Sequence, residues 1–436
     1  MHLDSPGTRR RAGAIGAAGP MGIATGIAMG IAMSLAASTP CAAAAPQADI
    51  IHWWTANGES AAARTIAQAY RDAGGVWKET AIAGADQARA VAIHRIVGGE
   101  PPLAAQFNTT HQFTELIDEG MLNHIDDVAR REGWERTLPT PVLDTIRVRG
   151  HFYAVPADIH MQAWMWYSKA AFRQAGIERE PASIDELFAA LDKLKAAGLI
   201  PLAHGGQPWQ ENILFLSMLA NVGGTDLYLK VLRDRDPRAI HSEQFKRVLE
   251  VFKRLKSYVD AGAPGRNWND ATALLIRGKA GIQVMGDWAK GEFAHARQSP
   301  GIDYGCMPGL GAKSPYIIQS DLFVFPKGAD PHRQAERVRA QHLLASVIAR
   351  PSTQLAFNRI KGGVPIRQDV DTSTMDPCAR VGVEIMRDRS RQVGIGETYL
   401  TPDQNGEMQD VLTAFWNTRM PLEKAQRGIA NALRGR

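Results

Sequence analysis

Cysteine is scarce in this chain. Three occur in 436 residues, at Cys41, Cys306 and Cys378. None belongs to a Cys/His cluster with zinc-ligand spacing, so no structural metal is expected. Blocks of one charge are missing as well. The formal net charge is only +5, part of it on Arg9, Arg10 and Arg11, which argues against a nucleic-acid surface. Beyond residue 45 no apolar run reaches the roughly 18 residues a membrane span needs. No G-x-S-x-G, H-E-x-x-H, P-loop or G-x-G-x-x-G is present, so neither a catalytic signature nor a cofactor is expected. Beyond residue 45 internal repeats and low-complexity linkers are absent too, and the length points to two domains, or three.

What is present begins with a leader. Arg9–Arg11 precede a stretch at 12–37 made almost wholly of Ala, Gly, Ile and Met, and 42–45 offers small residues for cleavage. That order predicts a signal peptide over 1–45 and a periplasmic home, with a membrane anchor as the alternative. Cys41 follows Pro40, which departs from a lipobox. Cys306 and Cys378 then remain in an exported chain, either as a disulfide or as two buried thiols.

Hydrophobic spacing predicts strands at 49–54, 103–107, 152–155, 161–167, 199–203, 280–285 and 322–325. Helices are expected at 60–73, 91–97, 113–117, 184–194 and 245–259, and over most of the tail from 408. Ser183 with Glu186 forms a capping-box pattern. Strands alternating with helices predict α/β architecture with mainly parallel sheets. Such sheets place ligands beyond their strand C-termini.

The chain has ten tryptophans, and Trp53, Trp54, Trp209, Trp268 and Trp288 fall at strand ends or in glycine-rich turns. An indole face suits the C–H face of a sugar ring, while carboxylates and amides at its rim take the hydroxyls. Filling a core is the competing role for each, and adjacent Trp53 and Trp54 point to opposite sides of a strand. Glu59, just past a turn, stabilises a helix N-terminus or accepts sugar hydroxyls, or does both. The turn "LAHGGQPWQ" at 202–210 brings His204, Gln207 and Trp209 together. "GDWAKGE" at 286–292 puts Asp287 and Trp288 at a strand-to-helix junction, and "KGGVPIR" at 361–367 sets Lys361 beside two glycines. A secreted glycosidase would need two carboxylates placed across a sugar, and that is the alternative function.

Together "WWTANGES" at Trp53, "GEPPLAAQ" at Gly99, "HMQAWMWYSKAAFRQAGI" at His160, "LKAAGLIPLAHGGQPWQ" at Leu194, "GKAGIQVMGDWAK" at Gly278 and "KGGVPIR" at Lys361 resemble the periplasmic glucose-binding proteins of bacterial ABC transporters, within the family-1 extracellular solute-binding group. The resemblance spans nearly all of the chain after the leader. It implies a two-lobed periplasmic-binding-protein fold of type II, maltose-binding-protein-like, with discontinuous lobes at 46–156 plus 286–346 and 157–285 plus 347–436, joined by a hinge. It implies a non-enzymatic monomer that delivers a sugar, a monosaccharide such as glucose, to permease subunits in the inner membrane. Trp53, Trp54, Glu59, Trp268, Trp288 and Lys361 match binding positions, and Trp209 lies in a matching turn. Cys306 and Cys378 match a cysteine pair. The departures are Gln106 and Asn108 where a lysine is expected, Gln319 and Asp321 where N-x-D is expected, and no clear histidine around 397–401.

Overall fold

The structure is a computed structural model that describes residues 45–311 and 314–435. The leader, with Cys41, lies outside these residues except for Ala45. Among the described residues no helix is long and apolar enough to cross a membrane.

Residues 45–435 form one compact unit built on two main sheets. The first takes strands in the order Val76–Ala81, Gln47–His52, Ala104–Phe107, Leu322–Val324, Ala154–Pro156. The second runs Tyr304–Met307, Trp164–Ser168, Ala280–Met285, Ile200–Leu202. A third, small sheet pairs Gln392–Gly394, Tyr316–Gln319 and His160–Met161.

The expectation of mainly parallel sheets is corrected here: all three are mixed. Gln47–His52 is parallel to both its neighbours, whereas Leu322–Val324 is antiparallel to both of its own. Trp164–Ser168 is likewise antiparallel to its two partners. A parallel neighbour requires a crossover that lays a helix on the sheet. Leu322–Val324 instead enters the first sheet from the small third sheet, by way of Tyr316–Gln319, and nothing obliges it to run parallel.

The predicted strand at 161–167 is also two strands. His160–Met161 belongs to the third sheet and Trp164–Ser168 to the second. The chain therefore leaves the first sheet at Pro156 and reaches the second at Trp164 by way of the third. It returns from Met307 to Leu322 through Tyr316–Gln319, which pairs with that outgoing strand. The two crossings are laced together: Ala157 N donates to Asp321 O at 2.8 Å and Gln162 N to Ile317 O at 2.8 Å. The segment 286–346, expected in the first lobe alone, thus serves both sheets, through Tyr304–Met307 and Leu322–Val324.

Local signals place the helices well. Ser183 Oγ accepts from Glu186 N at 3.2 Å and starts the helix Ile184–Ala196. Ser242 does the same for Glu243–Leu255, whose buried Phe245, Val248, Leu249, Phe252 and Leu255 recur at helical spacing. The tail is two helices, Pro402–Asn417 and Leu422–Arg434.

Cys306 and Cys378 are disulfide-bonded, tying the second sheet to the helix Pro377–Ile385 across a separation of 72 residues. Closing so long a loop restrains the unfolded chain by up to about 4 kcal/mol. The double variant Cys306→Ser/Cys378→Ser is expected to lose about 2–4 kcal/mol, read as a lower urea midpoint with a somewhat steeper slope, because the uncrosslinked chain exposes more surface on unfolding. The wild type under reductant should fall to the same midpoint.

Candidate functional site

Trp53 and Trp54 lie just past the C-terminal end of the strand Gln47–His52, and alternation separates their roles. Trp54 is buried in the core against Phe323 and Phe357. Its indole N–H donates to Asp321 Oδ2 at 3.0 Å. Trp53 is half-buried, with the Arg89 guanidinium 5.8 Å from its ring. Trp53 N donates to Gln106 Oε1 at 3.0 Å, which holds that buried amide in place.

Beneath this pair lies a buried ionic cluster at the crossings. Lys361 ends the helix Pro351–Lys361. Its ammonium lies 3.3 Å from Glu59 Oε1, 3.7 Å from Asp321 Oδ2 and 3.2 Å from His160 Nε2. His160 Nε2 is 2.8 Å from Asp158 Oδ2, while its Nδ1 faces Asp287 Oδ1. Asp287 Oδ2 accepts from Met161 N at 3.0 Å, and Asp158 Oδ1 from Asp321 N at 3.0 Å. Trp288 stands edge-on to His160, and the Lys361 ammonium lies over the Trp54 and Trp288 rings at 5.9 and 5.7 Å. Backbone donors thus fix Asp158 and Asp287, side-chain donors fix Asp321, and two indoles wall the ammonium.

This setting separates otherwise similar groups. Burial pushes the Glu59 and Asp158 carboxyls above the ordinary range, against the pull of Lys361 and His160 respectively. Burial also acts on Asp321, but Lys361, His160 and the Trp54 N–H outweigh it and hold its pKa at about 2. For Lys361, burial is outweighed by Glu59 and Asp321, and its pKa rises. For His160, Asp158 and Asp287 outweigh burial and keep the imidazole charged well above its usual range. Lys361 and His160 are the buried cations here, and Asp321 is a firmly ionised partner.

Two close approaches set the position of these groups. Gly362 has φ +109°, and a Cβ there would stand 2.1 Å from Asp287 O. Gly58, in the first turn of the helix Asn57–Asp72, meets Gly291 so closely that a Cβ would be 2.5 Å from its carbonyl carbon. Glu292 then caps that turn, accepting from Gly58 N at 2.8 Å and Asn57 Nδ2 at 3.2 Å. Gly362→Ala is expected to cost more than about 2 kcal/mol, because strain and clash coincide. Gly74 has φ +87° and open space, so Gly74→Ala should cost only about 1 kcal/mol. Chemical denaturation of both variants checks the contrast.

Of the predicted residues, Trp53, Trp54, Glu59, Gln106, Asn108, Trp288, Asp321 and Lys361 are brought into this one neighbourhood. Asn108 Nδ2 donates to Asp321 Oδ1 at 3.0 Å. Gln319 sits on the return crossing, where its Oε1 accepts from Gln162 Nε2 at 3.1 Å. Trp209 and Trp268 belong to a second group. There Trp209 Nε1 donates to Gln207 Oε1 at 2.9 Å, and Gln207 Nε2 to Asn267 Oδ1 at 2.9 Å.

Asp158, His160, Gln162, Glu292 and Arg89 were missed as site residues. Asp158 and His160 stand two apart on an extended segment, the spacing that puts both side chains on one face. Arg89 reaches Asn108 Oδ1 at 3.4 Å from the helix Ala85–Val97. It brings a cation to the position where the resemblance leads one to expect a lysine. Thr109 Oγ1 donates to Glu397 O at 3.4 Å, so the loop where no histidine was found does meet this neighbourhood. Among the buried side-chain atoms here without a hydrogen-bond partner are the amide atoms Gln106 Nε2 and Gln162 Oε1.

Residues 79–340 match the model of the bacterial extracellular solute-binding protein family. Over 392 residues the chain is 36% identical to a probable sugar-binding periplasmic protein of Brucella melitensis biotype 1, covering 88% of this chain and 91% of that relative. It is 37% identical over 345 residues to a probable sugar-binding periplasmic protein of Rhizobium meliloti, covering 79% and 81%. Among solved structures, a chitin oligosaccharide binding protein superposes with a TM-score of 0.75 at 18% identity, over 89% of this chain and 98% of that one. A maltose-bound binding protein of T. maritima gives 0.72 at 16%, over 89% and 99%. These share the two-lobed α/β fold of maltose-binding-protein type, and the relatives are binding proteins, not enzymes. The chain belongs to the bacterial extracellular solute-binding protein family.

Proposed function

We propose that this protein is the periplasmic sugar-binding component of an ABC transporter. It captures a monosaccharide, glucose or a close isomer, and presents it to the permease in the inner membrane. The observation behind this reading is the pairing of a half-buried indole, Trp53, with buried unpartnered amide atoms on Gln106 and Gln162. A buried polar atom without a partner is rare and calls for one. A sugar supplies both what the indole and what the amides lack, an apolar face and hydroxyls that donate and accept. The names of the Brucella and Rhizobium relatives support the same ligand class.

On this reading the sugar ring stacks on Trp53. Arg89, Gln106, Asn108, Gln162 and Gln319 serve its rim, and the Glu59–Lys361 pair lies below it. The two lobes are the halves built on the two main sheets, and the two crossings between them are the hinge. Closure about those crossings buries the ligand, and the closed form is what the permease reads. Calorimetry with glucose, galactose, xylose, arabinose, maltose and chitobiose tests the proposal. One monosaccharide bound per chain, recovered unaltered by chromatography, is the expected result. No binding of any of these sugars at millimolar concentration overturns it.

A further inference from the structure

A different set of side chains converges on the hairpin that follows the helix Thr140–Ile146. Strand His151–Phe152 pairs with Arg147–Val148, and its far side holds the segment 124–126. Ile125 N donates to Phe152 O at 2.7 Å, and Phe152 N donates to Asp126 Oδ1 at 2.7 Å. These two bonds run in opposite directions between the same segments, so the segments are fixed against each other. They also occupy one carboxylate oxygen of Asp126. Its other oxygen, Oδ2, faces two imidazoles through the same ring atom: His151 Nδ1 at 2.6 Å and His124 Nδ1 at 3.2 Å. The rings stand 5.0 Å apart, tilted by 35°, with Tyr153 edge-on to both. The three donor atoms lie within 4.8 Å of one another.

We propose that His124, Asp126 and His151 form a binding site for a divalent transition-metal ion of the zinc class. The ligands are His124 Nδ1, His151 Nδ1 and Asp126 Oδ2, with solvent in the fourth position. Zinc bonds of about 2.0–2.2 Å put the ligand atoms of a tetrahedron about 3.3 Å apart. The His124–Asp126 separation already meets this. The His151–Asp126 pair must open by less than about 1 Å, a small turn for an imidazole whose side chain is 52% exposed. The His124 side chain is 56% exposed, so an ion can reach both nitrogens from solvent. Two imidazoles and one carboxylate select zinc, nickel or copper over magnesium and calcium, which prefer oxygen alone. The Phe152 N–H on Asp126 Oδ1 is the outer hydrogen bond that orients a ligating carboxylate. The sequence shows no zinc motif because the third ligand comes from a strand 25 residues after Asp126. The bound ion would clamp the segment 124–126 to the hairpin, away from the Trp53 neighbourhood.

The test uses the full exported chain without an affinity tag, stripped with EDTA and then titrated with zinc chloride. One zinc per chain with micromolar affinity is expected, with a thermal midpoint that rises with zinc by mass action and does not move with magnesium chloride. Cobalt(II) should give the visible absorption of a tetrahedral site. His124→Ala/His151→Ala should lose the zinc, the cobalt band and the zinc-dependent shift, while its urea midpoint without metal stays at the wild-type value. Asp126→Asn, which can keep the Phe152 bond, should weaken zinc at least about tenfold. The proposal is overturned if wild type takes no zinc at about 100 µM, or if the variants bind it as wild type does.

Discussion

Lys361→Met is expected to destabilise the protein by about 3–5 kcal/mol at pH 7.5 and to weaken sugar binding by more than about a hundredfold. Methionine keeps most of the lysine's volume, so the loss reports the charge and not a cavity. The ammonium lies within 4 Å of carboxylate oxygens on both Glu59 and Asp321. Removing it leaves those carboxyls buried with one cation, His160, in place of two. The pH dependence gives a second readout. Lys361 is the largest influence holding Asp321 at about 2. A carboxyl with a depressed native pKa contributes stability above its unfolded value near 3.8, which is lost as pH falls toward 2. Wild type keeps that contribution across the neutral range. Glu59 and Asp158 are already pushed upward by burial; without Lys361 they shift further up, and Asp321 rises from its depressed value. Groups with raised native pKa favour the folded state at low pH, because the native state then binds more protons than the unfolded one. The deficit of the variant should therefore shrink between pH 7.5 and pH 5. Urea midpoints at the two pH values decide this. An equal deficit at both would mean that the lysine acts through packing and not through its charge.

Much of the fold was legible because local chemistry and burial agree. Ser183 with Glu186 marked a helix start that the structure places at Ile184, and the strand expected at 280–285 is Ala280–Met285. Strand direction was not legible. It depends on which sheet the chain has just left, and no residue near Leu322 encodes that it arrives from Tyr316–Gln319. The single strand expected at 161–167 failed for a related reason. Trp164, Met165, Trp166 and Tyr167 are all buried, so the run has no polar alternation to reveal where one sheet hands over to the next. The candidate site was legible where a residue type was rare, as with the tryptophans, and where a glycine pair flagged a tight turn, as at Lys361. It was not legible for His160 or Arg89. A lone histidine in a strand and an arginine on a helix are ordinary in sequence, and only the fold puts one between two aspartates and the other over an indole.

Trp53→Ala and Trp54→Ala are expected to fail in opposite ways, although the residues are neighbours. Trp54 is almost fully buried, packs on Phe323 and Phe357, and donates its N–H to Asp321. Truncation there opens a cavity and removes a hydrogen bond from a buried carboxylate. A loss of about 3–5 kcal/mol in stability follows for a tryptophan of this kind. Trp53 is half-buried, and its one hydrogen bond to Gln106 is made by the backbone, which alanine retains. Its truncation should change stability by no more than about 1 kcal/mol. Its cost should fall on the ligand, as the loss of a stacked aromatic face, about 2 kcal/mol or roughly thirtyfold in Kd. Because Gln106 stays anchored by the Trp53 backbone, the polar partners are preserved and the loss isolates the indole. Denaturation midpoints and sugar calorimetry on the two variants separate the roles. If Trp53→Ala lowers the midpoint as far as Trp54→Ala does and leaves the sugar Kd unchanged, both indoles are core, and the sugar must stack elsewhere. The second aromatic group, Trp209 and Trp268 beside Gln207 and Asn267, would then be the place to look.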